Sequence, residues 1–553
     1  MARLSESNAE RDTHRLTKKF KLTVPVPLTS LMVGKLQVPF LKMSSWANFL
    51  MENNLFHHLT GLKSPDHDRC CRIWSEFWAR YRAVCPDHDV FKRNDIDLQR
   101  TIGLLLHGDE GTSAKKLPIL VLATHSVLGY GIRTAKTTCP EPYVSLKLNY
   151  EQPSWTTRFL LAVMPRACYA NDDKEDDLSV FQDLLQGIAS DLRELFEQGI
   201  CDKQGRRFWF CVISVMGDWP WLHKSGCLKR TFYNAAKRSS GQQGGKGICH
   251  LCMADTPGVV WEDWEAATPA WVPTYNTASP FLRRPALLDL PLVQSDPASL
   301  FDWDLFHAWH IGSGKPFLAS AIVTLATSRH FQGSQDHRID TVSDLFMQWC
   351  KANRVTPHMK KLSKQKLSWI TSTDYPQGTW SKGAATTALM KWFLSECKQR
   401  ANAISQDPDQ LLQVVYCAAF AMNEFLRGLY KEQVWIPAPE AARLARLGKG
   451  FLRRNGMAIR MAYESGRNLF IQMPNLHRIQ HIVLELARQS ECAEFALNPL
   501  GVSSQVDEDY IGRPSRISRS VHGRTVITRT LERALEATWA KYVEAGLLIL
   551  DRD

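Results

Sequence analysis

Residues 101–111 read TIGLLLHGDEG, and residues 206–220 read RRFWFCVISVMGDWP. Each stretch is an apolar run that ends in Gly-Asp, which predicts a buried strand with an acid at its carboxyl end. Two further apolar runs between them predict strands, LPILVLATHSVLGYG (117–131) and RFLLAVMP (158–165). A helix is predicted for DDLSVFQDLLQGIASDLRELFEQG (176–199), because it has acids in its first turn, apolar residues at helical spacing and a terminal glycine.

Three strands, a helix and another strand, in this order, are typical of the start of an RNase H-like fold. The first and fourth strands of that fold are neighbours, which would bring Asp109 and Asp218 side by side. Two Gly-Asp strand ends can also arise by chance, with a purely structural role. The predicted fold class is α/β: an RNase H-like core, with a mixed five-stranded sheet and flanking helices, interrupted by a large, mainly helical insertion.

The predicted domain organisation follows from these elements and from the helical patterns after them. Several stretches between 306 and 430 have helical spacing, and PNLHRIQHIVLELARQ (474–489) marks the return to the core. The predicted segments are an N-terminal basic arm and helical region (1–95), the first part of the core (96–252), the helical insertion (253–470), and a core completion with the third acid and a basic C-terminal helix (471–553).

Composition and charge limit the function classes. The chain of 553 residues has 68 Lys and Arg against 56 Asp and Glu. The resulting net charge of +12 favours a polyanionic partner, and a basic protein without such a partner is the alternative. No stretch approaches ~20 uninterrupted apolar residues, so neither a transmembrane helix nor a membrane partner is expected. The polar N-terminus lacks a signal peptide's apolar core, and the 14 cysteines are therefore expected to be thiols or metal ligands in a reducing compartment.

Two short motifs have the spacing of metal ligands. Cys249 and Cys252 form a CxxC pair, which alone could be a redox pair, half of a zinc site or an accident. His477 and His481 are four residues apart in a predicted helix and would project from one face. Ordinary core or surface histidines are the alternative for that pair. Together the two motifs predict one shared zinc site.

Two further groups allow a structural and a functional interpretation. Asp304, His307 and His310 lie in DWDLFHAWHIGSGKP, where they could be ligands, DNA contacts or parts of a capped amphipathic helix. The cluster VDEDY (506–510) is followed by RPSRISRSVHGRTVITRTLERAL. It could be a solvated acidic turn before a basic helix, or it could supply a third metal ligand next to an arginine face that contacts DNA phosphates.

The motifs GDEG, GDWP, GICHLC, DLFH and PNLHRIQH occur in an order that resembles eukaryotic cut-and-paste transposases, particularly the CACTA group and its Plavaka-like relatives. They also resemble the catalytic subunit of the V(D)J recombinase. The resemblance covers roughly residues 95–535 as ordered short motifs. It implies a catalytic DDE triad of Asp109, Asp218 and Glu508, with Asp507 and Asp509 as competitors and Glu485 and Glu424 as lesser candidates for the third acid.

The same resemblance implies that Cys249, Cys252, His477 and His481 bind a structural Zn²⁺. The carboxylates would hold two Mg²⁺ or Mn²⁺ ions about 4 Å apart for DNA strand cleavage and transfer. Double-stranded DNA (transposon ends and target), a homodimer and a nuclear location are expected on the same ground. Phosphate contacts are expected from eight basic residues: Lys115, Lys116, Lys229, Arg230, Lys237, Arg238, Arg516 and Arg519.

Three alternatives stay open at the level of sequence. The first is a catalytically inactive, domesticated descendant that acts as a zinc-stabilised DNA-binding protein. The second is a nuclease without strand transfer. The third is a zinc-stabilised helical scaffold, which burial of Arg516 and Arg519 against protein would favour.

Overall fold

The computed structural model describes residues 9–33, 36–131, 146–150, 153–169, 179–235, 245–266 and 268–548. The chain divides into two compact units. The first unit comprises Met1–Lys229, Ser279–Asp302 and Gly501–Asp553, and the second comprises Arg230–Ala278 and Trp303–Leu500. No helix in these described ranges has the length and apolar character that a membrane crossing requires.

The strands of the described residues are β1 (Leu28–Val33), β2 (Leu36–Leu41), β3 (Thr101–Thr112), β4 (Pro118–Ser126), β5 (Phe159–Pro165), β6 (Ile200–Cys201), β7 (Arg207–Gly217), β8 (Trp435–Pro437) and β9 (Phe495–Leu497). The helices are α1 (Ala9–Lys19), α2 (Met43–Glu52), α3 (His57–Thr60), α4 (His67–Val84), α5 (Ser154–Thr157), α6 (Ser179–Glu197), α7 (Trp219–Ser225), α8 (Gly314–Thr327), α9 (Gln335–Ala352), α10 (Lys364–Leu367), α11 (Gly383–Gln399), α12 (Ala401–Ser405), α13 (Leu411–Lys431), α14 (Ala438–Glu464), α15 (Asn475–Cys492), α16 (Gln505–Ser518) and α17 (Val526–Glu544).

A five-stranded mixed sheet organises the first unit, in the order β5-β4-β3-β7-β6. Strands β3, β4 and β5 pair antiparallel, whereas β7 lies parallel to β3. Strand β3 is buried from 101 to 108 and β7 from 208 to 217, as expected for continuous apolar runs in the middle of a sheet. The predicted mixed α/β class with a five-stranded mixed sheet and flanking helices is confirmed.

Aromatic residues of α4 cover one part of this sheet. Asp66 caps the helix by accepting a hydrogen bond from the backbone N–H of Arg69, and the apolar face then repeats at helical spacing. A Cβ atom at Gly103 of β3 would lie 3.2 Å from the Trp74 ring, so the helix packs closely on the strand. Helix α16 packs on another part of β3.

The N-terminal region and the edge of the sheet contain elements that the sequence pattern did not predict. Within the expected basic arm, residues 9–19 form helix α1, and residues 28–41 form the β1–β2 hairpin. The fifth strand of the sheet is the short β6, which pairs antiparallel with the start of β7. Phe301 makes an additional parallel bridge to Val215 of β7.

The second unit is mainly helical. Helix α14 packs on both α13 and α15, and the short β8–β9 pair lies beside them. The side-chain amide of Asn498 donates to the backbone carbonyls of Leu429 and Gln433, which secures the chain after β9. The helices predicted between 306 and 430 correspond to α8, α9, α11 and α13.

Candidate metal centre and carboxylate site

The second unit brings both predicted halves of the zinc site together. Cys249, Cys252, His477 and His481 are all buried, and their ligand atoms lie within 4.8 Å of one another. The Sγ atom of Cys249 is 3.3 Å from Nε2 of His481, and that of Cys252 is 3.3 Å from Nε2 of His477. This buried Cys₂His₂ group could bind zinc.

The local structure explains how four side chains converge. The two histidines lie one turn apart on α15, so both imidazoles point to the same side. In the CxxC segment, the backbone N–H of Leu251 donates to Sγ of Cys249 at 3.3 Å, which curls the chain around the sulfur. One helix face therefore meets one tight turn.

The spacing of the donor atoms fits a tetrahedral zinc ion. Bonds of about 2.0–2.3 Å to nitrogen and sulfur place tetrahedral ligands roughly 3.3–3.8 Å apart. The observed S···N distances of 3.3 to 3.5 Å fall in this range, and the two Nε2 atoms are 3.0 Å apart. Small adjustments of the imidazole rings would complete the geometry.

The protonation states of His477 and Cys249 also suit a metal, whereas Cys252 would have to lose a proton on binding. Burial, together with the neighbouring His481, lowers the pKa of His477 to about 4, so its imidazole is neutral at neutral pH. Burial tends to raise the pKa of the Cys249 thiol, but the hydrogen bond from Cys252 and the contact with His481 outweigh it and hold the pKa below its ordinary value. Burial and the adjacent Cys249 raise the pKa of Cys252. A neutral imidazole and a thiolate are the forms that bind zinc.

Side chains around the four ligands hold them in place. The Tyr275 hydroxyl lies 3.0 Å from Nδ1 of His481, and the Trp271 ring packs 4.4 Å from the same imidazole. The buried Arg230 guanidinium donates to the carbonyls of Cys249 and His250. Sequence reasoning missed Tyr275 and Trp271, because their contacts with α15 span about two hundred residues and leave no local pattern.

In the first unit, Asp109 and Asp218 follow paired glycines. Strand β3 lies parallel to β7, and their pairing ends with Gly108 opposite Gly217. Asp218 directly follows the last residue of β7, whereas the predicted strand end at Asp109 is wrong, because β3 continues to Thr112 and Asp109 pairs with Val121 of β4. Both aspartates are half-buried. Asp218 also caps α7 by accepting a hydrogen bond from the backbone N–H of Trp221 at 2.8 Å.

The Trp221 ring explains why both acids are preceded by glycine. A Cβ atom at Gly108 would lie 2.7 Å from this ring, and one at Gly217 would lie 2.5 Å from it. Gly217 also has a φ angle of +148°, which L side chains rarely adopt. The repeated Gly-Asp motif therefore has a packing function in addition to any chemical one.

Among the acids of the 506–510 cluster, Asp507 is a structural group. It is fully buried, and its carboxylate lies 3.3 Å from Nε of Arg158 and 3.3 Å from Nε2 of His125. Burial raises the pKa of this carboxyl, but the Arg158 guanidinium and His125 outweigh it and hold the pKa well below its usual range. These contacts of Asp507 attach α16 to His125 in β4 and to Arg158, the residue before β5.

Glu508 lies on the part of α16 that faces β3. Ile511 and Ser515 share its face at i+3 and i+7, and both would contact a Cβ atom at Gly111 of β3. His107 acts electrostatically on Asp507, the neighbour of Glu508 on α16. Because alternate residues of a strand share a face, Asp109 projects from β3 on the side of His107 and Gly111, which is the side covered by α16.

The other candidates for the third acid have different surroundings. Asp509 is exposed and pairs with Arg513 at 2.8 Å. Glu485 and Glu424 belong to the second unit, where each pairs with an arginine on its own helix, Arg488 and Arg427.

The Asp304 group forms a local cap. The buried Asp304 accepts a hydrogen bond from the backbone N–H of Phe306 and contacts Nδ1 of His307 at 2.5 Å. These residues begin a π-helical turn, Phe306–Ser313. His310 is buried next to Thr387 and Tyr430. This geometry favours the helix-cap interpretation of the group.

The predicted DNA contacts fall into three classes. Lys115, Lys116, Lys229, Arg516 and Arg519 are exposed. Arg230 is buried against the CxxC turn and is not available to a phosphate, which corrects its expected role. Lys237 and Arg238 lie outside the described residues.

Comparison of the chain with protein-family models and with curated proteins found no match.

Proposed function

We propose that this chain is a DDE-type DNA transposase or transposon-derived protein, with a catalytic site formed by Asp109, Asp218 and Glu508 on an RNase H-like core. The observation that carries the proposal is the parallel pairing of β3 with β7, which ends in adjacent Gly-Asp motifs. An antiparallel β3-β4-β5 arrangement, followed by α6 and then by β7 beside β3, supports the RNase H-like assignment.

The position of α16 supports Glu508 as the third acid. Its neighbour Asp507 is occupied by Arg158 and His125, and Asp509 is paired with Arg513 at the surface. Glu508 shares the strand-facing side of the helix with Ile511 and Ser515. Clustered carboxylates repel one another, and cation binding relieves that repulsion.

The chemistry of such a site depends on carboxylate oxygens, the ligands that Mg²⁺ and Mn²⁺ prefer. Two bound cations would supply activation of a water or a DNA 3′-hydroxyl and stabilisation of the leaving oxygen. Asp109 and Asp218 would bind the two cations from the sheet, and Glu508 would bind them from α16. The Cys₂His₂ zinc would be structural, because protein ligands fill all four of its positions.

Exposed cations near the end of β3 are suited to the DNA backbone. Lys115 and Lys116 lie in the β3–β4 turn, and Arg519 donates to the carbonyl of Thr112 at 2.8 Å. A hydrogen bond of 2.9 Å between Ser518 and Ser113 joins the same two segments. The exposure of Arg516 and Arg519 removes the observation that would have favoured a helical scaffold without a nucleic-acid role.

The test is a pair of assays on the full chain with Mg²⁺ or Mn²⁺: nicking of a supercoiled plasmid, and joining of a 3′-hydroxyl oligonucleotide to it. D109N, D218N and E508Q should each lower both rates by at least about a hundredfold, because metal activation supplies several kcal/mol. D509N is the matched control and should keep near-normal rates, since Asp509 is committed to a surface ion pair.

The alternatives predict different outcomes of the same assays. DNA binding without nicking by the wild-type chain would support the inactive descendant. Nicking without joining would support a nuclease. Loss of activity in D509N but not in E508Q would overturn the assignment of the third acid.

A further inference from the structure

Helix α14 has an unusual distribution of charge. Residues 441–463 contain no Asp or Glu, but they contain six basic residues: Arg443, Arg446, Lys449, Arg453, Arg454 and Arg460. At 27 residues, α14 is also the longest helix among the described residues. The acids of the helix are confined to its ends, at Glu440 and Glu464.

Arg443, Arg446, Lys449 and Arg453 recur every three or four positions, and Arg460 follows two turns after Arg453, so these five form a stripe along one side of the helix. Arg454 lies beside this stripe. The opposite face is buried against α13 and α15 through residues such as Leu444, Phe451 and Ala458. Arginines of the stripe are exposed, and Lys449 is half-buried. At 1.5 Å per residue, the stripe from Arg443 to Arg460 is about 25 Å long.

Much of this charge is not neutralised by the residues that the structure describes. Arg443 pairs with Glu440, and Arg460 pairs with Glu265. Arg453 and Arg454 donate to backbone carbonyls, those of Glu265 and Gly450. In the described ranges, no carboxylate lies within ion-pair distance of the other two cations of the stripe or of Arg453 and Arg454.

Like charges one helical turn apart repel each other, so a solvated surface helix usually alternates them with acids. A row of exposed cations along one side of a helix instead favours contact with the phosphates of a nucleic-acid backbone. Arginine and lysine at such positions bind the backbone without reading the base sequence. The charge pattern of α14 is therefore that of a polyanion-binding surface.

We infer that the exposed face of α14 binds the backbone of double-stranded DNA as a contact surface of the second unit, separate from the carboxylate site of the first. The choice of DNA as the polyanion rests on the proposed function. The contact itself rests on the helix, whose uncompensated cations are independent of the acids.

The experiment measures binding of the full chain to a fluorescent DNA duplex over a range of salt concentrations. R446Q/K449Q should bind about tenfold more weakly at low salt, and the slope of log affinity against log salt should fall by about 2. K391Q/K398Q is the matched control, because it removes the same charge from α11, where Lys391 and Lys398 are exposed. It should change neither quantity appreciably.

An R446Q/K449Q variant that binds like the control overturns the inference, provided that its circular dichroism and melting temperature match the wild type. The inference is also overturned if R446Q/K449Q loses more affinity for another polyanion than for duplex DNA. The polyanions to compare are single-stranded RNA and phosphatidylcholine vesicles containing phosphatidylserine. If the stripe variants lose affinity while D109N retains it and the wild type cleaves nothing, the inference stands and the proposed function fails. If the wild type nicks the plasmid and the stripe variants bind DNA with unchanged affinity, the inference fails and the proposed function stands.

Discussion

Gly108 and Gly217 are register partners on adjacent parallel strands, and the Trp221 ring packs against the position of both. The close approach leaves no room for a Cβ atom at either glycine. The aspartates that follow these glycines come at the point where the pairing of β3 with β7 ends. The glycines of the two Gly-Asp motifs are therefore explained by packing against Trp221.

Replacement of Gly217 by alanine should destabilise the first unit by about 2–4 kcal/mol, from overpacking and from the strain of a positive φ angle. Gly205→Ala is the control, because Gly205 has a φ angle of +76° and no atom within 4 Å of its Cβ position. It should cost only about 1–2 kcal/mol. Urea denaturation measures both values, and equal losses would mean that Trp221 does not limit the space.

The wild-type chain should contain about one zinc ion per molecule when purified without chelators. Cys249→Ser should remove most of it, because the site loses a thiolate ligand. Cys492→Ser, at an exposed cysteine, should retain the full amount. Elemental analysis by mass spectrometry measures the content, and a zinc-free wild type or an unchanged Cys249→Ser variant would refute the metal centre.

Asp507→Ala should lower the free energy of unfolding by about 3–5 kcal/mol, because it leaves the Arg158 guanidinium buried without its partner. Adding Arg158→Met should restore part of that loss. Asp509→Ala breaks an exposed pair with Arg513 and should cost no more than about 1 kcal/mol. If the double variant is as unstable as the sum of the single ones, the pair is not coupled.

Acidification should destabilise the first unit through His88. Its buried imidazole accepts a hydrogen bond from the backbone N–H of Val90, and burial lowers its pKa to about 4. Since the folded pKa lies below the unfolded value of about 6.5, the stability is complete above about pH 6.5 and is lost as the pH falls toward 4. The resulting loss of unfolding free energy is on the order of 3 kcal/mol.

The control for this pH effect is His88→Asn, which keeps a capping acceptor but does not titrate. Between pH 7 and 4, its free energy of unfolding should fall less than that of the wild type. Identical pH profiles for the two proteins would show that His88 does not contribute.

Local sequence predicted the elements whose signals are contained in a few neighbouring residues. The apolar runs of β3, β4, β5 and β7 have the length and composition of buried strands. The CxxC pair and the two histidines of α15 were recognisable because zinc ligands need short, fixed spacings. The β1–β2 hairpin lacked such a signal, because its burial depends on partners far along the chain.

Only the tertiary structure distinguished among side chains that look alike in sequence. Asp507, Glu508 and Asp509 are consecutive acids, yet helical rotation of about 100° per residue sends one to Arg158, one toward β3 and one to the surface. Arg230 resembles the exposed cations but is buried against Cys249 and His250. Composition and spacing thus determined the types of element and of candidate ligand, whereas burial and long-range contact decided which charged side chains are held in the interior and which remain exposed.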